Sequence, residues 1–475
     1  MIEPLREFAR AVEARWLAAI VALGFALRLG WVLSVHSGLV QNVDMSWYFV
    51  TAKNLAEGYG MTARIVQPVG EVAGPGGTQA TLWPPGYSLT LGVVFKLFGA
   101  SLTAGKMLNV VYGTLMIPLV FLLARRLFKG TVALVATALF AVYPANIFWS
   151  SVLFSDTVFT LPFLTATVLL VYAGPRPTRL QALGFGLALG YAEIIRPPAI
   201  VVLGAAATYW LIRAESKRTV LKPVAIALAG ICLWVVPVAI WNSVRTDKLK
   251  LVSENVGYNL RIGHAPYSTG RYTTPSDLWA ASDPNTGALP SDSLAIRRSV
   301  DYAVHHPVDE ARLSVKKVFY LYTTDSDAII WASTENRTPI WGSFSTSEHM
   351  MDLADVATYV ALLLAIAAVP LTFSLRDERL LLWLLLAFWT AAHIVFFGEP
   401  RYHLPVLPII LTMSAVGIVE GWRALASMLT AKHRRAGVRS GGDTPDRRKA
   451  AAPPGSSLWS GSRSGDIRSG DQPRC

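Results

Sequence analysis

Apolar runs of about the length that crosses a bilayer as a helix alternate with short polar connectors along this chain. The first extends from Trp16 to Val35. Others occupy 104–124, 131–148, 156–173, 180–195, 197–213, 220–241, 353–373, 379–397 and 402–422. Each predicts a helix, so the pattern describes an all-α polytopic membrane protein with about ten transmembrane helices. Basic connectors (Arg125, Arg126, Lys129; Arg176, Arg179; Arg213, Lys217, Arg218; Arg376, Arg379) alternate with connectors poor in Lys and Arg. A further stretch, Pro85 to Ala100, decides the topology. If it lies along the outer surface and does not cross, every basic connector and both termini fall on the cytoplasmic side.

This arrangement divides the chain into a cytoplasmic arm (1–15), a transmembrane module (16–241) with a first outer loop at 36–103, and an outer loop domain (242–352). C-terminal spans (353–422) and a basic tail (423–475) follow. Gly, Pro, Ser and Asn between 253 and 295 predict turns, and an amphipathic helix is expected from Leu294 to Tyr320. The tail from Lys432 on has the composition of a disordered segment suited to anionic headgroups or to fixing topology. Arg6, Arg10 and Arg15 precede the first run and no clear cleavage site follows it, so it reads as an uncleaved signal anchor.

Composition sharpens the picture. Charged residues make up 16% of the 475, against about 25% in soluble domains. A large water-facing core is therefore excluded outside the 242–352 loop. Cys232 sits in an apolar run and Cys475 in the polar tail, so they occupy different phases and do not pair. Neither 20–50-residue repeats nor Walker, Rossmann or zinc-finger spacing occurs, which leaves nucleic-acid and soluble nucleotide chemistry without a foothold. Asn336-Arg337-Thr338 is a glycosylation sequon only in a eukaryotic secretory setting.

At the outer ends of different spans the chain places polar residues that a bilayer does not explain. Asp44 and Tyr48 share one face of a short helix predicted to end at Gly58, with helix capping as the alternative task for Asp44. Asp156 opens the fourth span, where it either caps a helix or faces the same outer cavity as Asp44. Arg196 occupies a tight outer link; it either snorkels with Glu193 or joins Arg401 and Tyr402 of a later link in an anionic headgroup site, since guanidinium forks match phosphate oxygens.

These residues resemble the GT-C glycosyltransferases of the family 39 type, which include the dolichyl-phosphate-mannose protein mannosyltransferases and the bacterial lipid A aminoarabinose transferase. The resemblance rests on Asp44 with Tyr48, Asn54-Leu55-Ala56-Glu57-Gly58, Pro84-Pro85-Gly86-Tyr87, Lys106 to Asn109, Asp156, Arg196-Pro197, the Asn255-to-Gly263 stretch and Arg401-Tyr402-His403-Leu404-Pro405. Two departures accompany it. Met45 stands where the mannosyltransferases have a second acid, and Asp156 where many members have Glu.

The resemblance implies transfer of a sugar from a polyprenyl-phosphate donor to an acceptor hydroxyl of a protein, lipid or glycan on the periplasmic side of a bacterial inner membrane. Asp44 is then the base, assisted by Asp156, and direct displacement inverts the anomeric carbon. Arg196, Arg401 and Tyr402 would hold the donor phosphate. Tyr48, Trp83, Tyr87, Tyr258, Asn259 and His403 are the candidate substrate contacts. No tightly bound metal or other cofactor is expected, with a weak divalent site between Asp44 and Asp156 as the alternative. A flippase for lipid-linked sugars or another transporter is the competing function, although transporters place their charges near the bilayer midplane. A scaffolding role leaves the matched motifs without a purpose.

All of this requires one geography. In a background lacking Cys232 and Cys475, side-specific labelling of cysteines introduced at or beside 44 and 156 is expected to place both positions on the same, non-cytoplasmic side; labelling from opposite sides would exclude a shared site.

Overall fold

The computed structural model describes residues 2–35, 43–66, 71–73, 83–246, 249–253, 255–281, 291–334 and 340–440. The tail beyond 440, Cys475 and the Asn336-Arg337-Thr338 sequon lie outside the described residues. Contacts divide the chain into two units, Met1–Trp422 and Arg423–Cys475. In chain order the first unit opens with α1 (Ile2–Ser34), α2 (Val43–Ala56), a two-stranded antiparallel ribbon of β1 (Arg64–Val66) and β2 (Glu71–Ala73), α3 (Gly86–Phe98) and α4 (Leu102–Leu127). Next come α5 (Gly130–Val142), α6 (Pro144–Phe148), α7 (Ser155–Ala173), α8 (Arg179–Ile195), α9 (Val201–Arg213) and α10 (Arg218–Thr246). The loop region contributes α11 (Val256–Gly263), α12 (Ser276–Trp279), α13 (Asp292–His305), α14 (Pro307–Leu321) and α15 (Asp327–Thr334). The last helices are α16 (Phe344–Ala367), α17 (Val369–Thr372), α18 (Leu380–Val395) and α19 (Leu407–Ser440).

Every apolar run in the sequence forms helix. Among the described residues six helices are long and apolar enough to cross a bilayer, in α1, α4, α7, α10, α16 and α19, and the bent pair α5–α6 makes a seventh if it counts as one span. The chain is thus a multi-pass membrane protein. The others fall short because α8, α9 and α18 have 17, 13 and 16 residues, below the roughly 20 that match the hydrocarbon thickness. α3 packs on α2, α4 and α8.

Local chemistry sets the ends. Ser101 accepts from Ala104 N at the start of α4, and Thr178 with Gln181 forms a capping box at the start of α8. The helix expected from Leu294 to Tyr320 is two, because Pro307 disfavours helical backbone at His306. The run at 131–148 also breaks, bending by 52° between α5 and α6. Arg28, wholly buried inside α1, donates to the carbonyls of Ala141 (3.0 Å) and Gly24 (2.9 Å). Its charge therefore sits at the C-terminal end of α5, where the helix dipole favours a cation. Arg28 thus links the C-terminal part of α1 to the broken helix.

α8, which carries Arg196 at its C-terminal end, crosses α10 closely through glycine. A Cβ on Gly186 would lie 2.1 Å from Ala227 O, and one on Gly190 2.7 Å from Ile231 Cα. Close backbone approach at small residues is how helices associate where solvent drives nothing. Gly186→Val should therefore cost at least about 1–3 kcal/mol, seen as a lowered unfolding temperature in detergent. Gly30→Val, which meets nothing within 4 Å, should leave that temperature unchanged.

Candidate active site

Four elements deliver charge to one end of the bundle. Asp44 lies in the first turn of α2 and Asp156 in the first turn of α7, so both carboxylates sit where a helix dipole favours negative charge. Arg196 follows α8, with φ −149° and ψ 112° taking the chain out of the helix before Pro197. Arg401 and Tyr402 belong to a 3-10 turn, Pro400–His403, between α18 and α19.

The guanidinium of Arg196 donates to Asp156 Oδ1, and the Arg401 Nη2 to Asp44 Oδ2 separation is 3.6 Å. Arg196 does not pair with Glu193; Glu193 Oε2 instead accepts from Ile200 N at 2.7 Å. Tyr402 stands between the arginines, its ring 4.7 Å from the Arg196 guanidinium and 5.3 Å from that of Arg401. Arg401 also stacks on Phe154 at 4.5 Å.

Burial decides how these groups behave. The Asp156 side chain is 1% exposed, whereas that of Asp44 is 28% exposed and so the more accessible of the two. Burial in a narrow recess raises the Asp44 carboxyl above its ordinary value, opposed by Arg401 and Arg196 and reinforced by Asp156. Tyr48 and Tyr87 meet edge to face at 4.8 Å. Burial pushes both hydroxyls up from the usual tyrosine value, which leaves them protonated and able to donate. The Tyr48 hydroxyl bonds Ser155. Three polar atoms in this neighbourhood, Asp156 Oδ2, Tyr87 Oη and Arg401 Nη1, are buried and have no hydrogen-bond partner among the described residues. Such atoms cost free energy unless a polar ligand meets them.

The remaining sequence candidates lie elsewhere. Trp83 packs on Trp47 at 5.1 Å. Tyr258 and Asn259 are on α11, where the Tyr258 hydroxyl is 3.3 Å from that of Tyr272; the Tyr272 amide in turn donates to Glu399 at 2.6 Å. His403 faces away from Arg401. Its Nδ1 is 2.8 Å from Leu321 O and its Nε2 3.1 Å from Asp325 Oδ2. Tyr143, Tyr322, Thr358 and His403 pack around a narrow gap on that side, apart from the residues around Asp44.

Sequence reasoning missed several neighbours. Asp327 opens α15 and is 8% exposed; burial and Glu399 raise its carboxyl to about 6, with Arg401 and Arg271 opposing. His393 stacks near Tyr402 at 5.2 Å. Glu399 pairs with Arg271 at 3.0 Å. The acids flanking Ser326 immediately before an apolar stretch were the visible signal for Asp325 and Asp327.

Residues 83–241, about a third of the chain, match the family model described as dolichyl-phosphate-mannose-protein mannosyltransferase. That segment holds Tyr87, Asp156 and Arg196 but not Asp44 or Arg401. No curated protein matches the chain. Among solved structures, ArnT from Cupriavidus metallidurans bound to undecaprenyl phosphate matches with TM-score 0.52 and 14% identity, over 88% of this chain and 63% of that one. Its apo form gives 0.53 and 13%, over 86% and 62%. The archaeal oligosaccharyltransferase AglB from Archaeoglobus fulgidus, in complex with an inhibitory peptide and a dolichol-phosphate, gives 0.50 and 11%, over 93% and 53%. The chain spans between about half and two thirds of the length of these structures. It has the fold of the GT-C membrane glycosyltransferases, and within that fold its residues 83–241 match the dolichyl-phosphate-mannose-protein mannosyltransferase family.

Proposed function

We propose that this protein is an integral membrane glycosyltransferase that moves a sugar from a polyprenyl-phosphate donor to an acceptor hydroxyl at the extracytoplasmic surface. The observation that carries the reading is the convergence of two carboxylates and two guanidiniums at one bundle end, where one oxygen of Asp156, one nitrogen of Arg401 and the nearby Tyr87 hydroxyl are buried without a hydrogen-bond partner among the described residues. A polar ligand with an anionic group answers that arrangement, and the neighbouring apolar helices suit its lipid tail. The matched structures supply the analogy for the donor, since one is described with undecaprenyl phosphate and another with a dolichol-phosphate.

The chemistry assigns itself by exposure. Asp44, the more exposed carboxylate, takes the proton of the acceptor hydroxyl as that oxygen attacks the anomeric carbon. The bond between this carbon and the phosphate oxygen breaks with inversion, and the electron pair leaves on the polyprenyl phosphate. Arg401, whose Nη1 has no partner, and Arg196 meet the charge growing on the phosphate; one such donor is worth several kcal/mol of barrier. Donor binding draws Arg401 away from Asp44. Losing that neighbour raises the proton affinity of Asp44 and makes it a stronger base. Asp156, held by Arg196, positions the guanidinium and keeps an oxygen available for a sugar hydroxyl. Positive charge comes from side chains on this reading, and no metal is required of the site.

Two measurements test this. Asp44→Asn should lower transfer by at least about 100-fold with protein level unchanged, scored by mass spectrometry of envelope lipids and glycans from cells complemented with each form; full activity of that variant would remove the base assignment. The rate should also fall with acid through an apparent pKa above the roughly 3.9 of a free aspartate. The sign follows from the chemistry: the base works deprotonated, burial raises its pKa, and activity is lost as pH falls through that raised value.

A further inference from the structure

We infer that Asp325 is a positioning residue for Arg401, acting through His403 across the turn that both occupy; the inference rests on the donor-phosphate role proposed for Arg401. His403 and Asp325 are each 1% exposed, and their side chains meet at 3.1 Å. The other ring nitrogen of His403 faces the Leu321 carbonyl at 2.8 Å. The ring thus donates from Nδ1 to the Leu321 carbonyl while Nε2 shares a proton with the Asp325 carboxyl, so both of its nitrogens are held. The same Asp325 oxygen accepts from the Tyr143 hydroxyl at 2.8 Å and the Thr358 hydroxyl at 3.0 Å. The backbone of this aspartate is fixed as well, because Asp355 Oδ1 accepts from Asp325 N at 2.8 Å and from Ser326 N at 3.0 Å.

One carboxylate thus ties together the break between α5 and α6, the helix α16, the link between α14 and α15, and the Pro400–His403 turn. A wholly buried ion pair returns little net stability, because desolvating both charges offsets their attraction, but it admits only one arrangement. What this pair fixes is the turn. His403 lies two residues after Arg401, and Trp389 Nε1 donates to Tyr402 O at 2.8 Å, so the backbone on the C-terminal side of Arg401 is held on two sides. The guanidinium is left to reach Asp44 and the ligand. Releasing His403 frees the turn to shift, and a shift moves Arg401 away from Asp44 without altering any group in the site itself.

The test is a double-mutant cycle on the purified full chain in nanodiscs, with undecaprenyl phosphate as the probe and its binding read by native mass spectrometry. Arg401→Ala is expected to weaken binding. Asp325→Asn, although it lies outside the site, should weaken it by about tenfold, and adding it to Arg401→Ala should cost nothing more, because the two act as one unit. The thermal unfolding midpoint of Asp325→Asn reports whether the fold survives. If that variant does not fold, His403→Gln takes its place in the same cycle. Wild-type affinity in a folded Asp325→Asn or His403→Gln protein, or losses that add in the double mutant, would overturn the positioning role while leaving the donor site intact. Wild-type affinity in Arg401→Ala would instead defeat the donor-phosphate reading, and this inference with it.

Discussion

An uncompensated charge is intolerable at the edge of an apolar bundle, and the architecture around the site follows from that constraint. Asp156 is buried to 1% exposure, which is possible because the Arg196 guanidinium is delivered to it from the adjacent α8. That delivery needs α7 and α8 antiparallel and packed together, so that the first turn of one meets the last turn of the other. It also needs α8 held at a fixed depth, which the glycine crossing against α10 provides. Once the Asp156–Arg196 pair is set, the positions open to Arg401 and Asp44 are narrow, since Tyr402 fills the space between the two guanidiniums.

Loop-region residues then close the arrangement from outside. α18 ends at Val395 with carbonyls that have no partner in the helix, and Lys317 and His264 reach them: Lys317 Nζ lies 2.9 Å from Ile394 O and His264 Nε2 2.6 Å from Val395 O. Burial lowers the Lys317 ammonium to about 8, against the opposing influence of Glu310. The backbones approach without room for side chains, as Gly398 N donates to Gly270 O and a Cβ on Gly263 would meet Phe396 O. The turn bearing Arg401 is therefore held by Gly263, His264, Gly270, Lys317 and Asp325 on one side and by α18 on the other.

Much of this was legible in the sequence, for a physical reason. Charges at the ends of apolar runs are conspicuous because hydrocarbon tolerates few of them, so Asp44, Asp156, Arg196 and Arg401 draw attention, although position alone leaves capping and snorkelling open and the resemblance was needed to group them. Partner choice was less legible. Glu193 is three residues from Arg196, yet the extended backbone at Arg196 turns its side chain off the helix and toward Asp156. The pairing of His403 with Asp325 joins residues 78 positions apart and has no periodicity to betray it. Arg28 was hidden differently. Besides Gly24 O of its own helix, its acceptor is the Ala141 carbonyl next to the bend at Tyr143, and carbonyls carry no signature of residue type.

The electrostatics of the site also imply an order of events under the proposed chemistry. With no phosphate bound, Arg401 neutralises Asp44 at 3.6 Å, and a neutralised carboxylate is a poor base. An acceptor arriving first would find that base engaged. A phosphate arriving first competes for the same guanidinium with more oxygens and more charge, and its success frees Asp44 in the moment that the leaving group becomes available. Arg196 is less free to take part in this exchange, because drawing it off would strand the buried Asp156. The two arginines therefore divide the work: Arg196 holds the site together, and Arg401 moves its charge from base to leaving group, which ties activation of the acceptor to the presence of the donor.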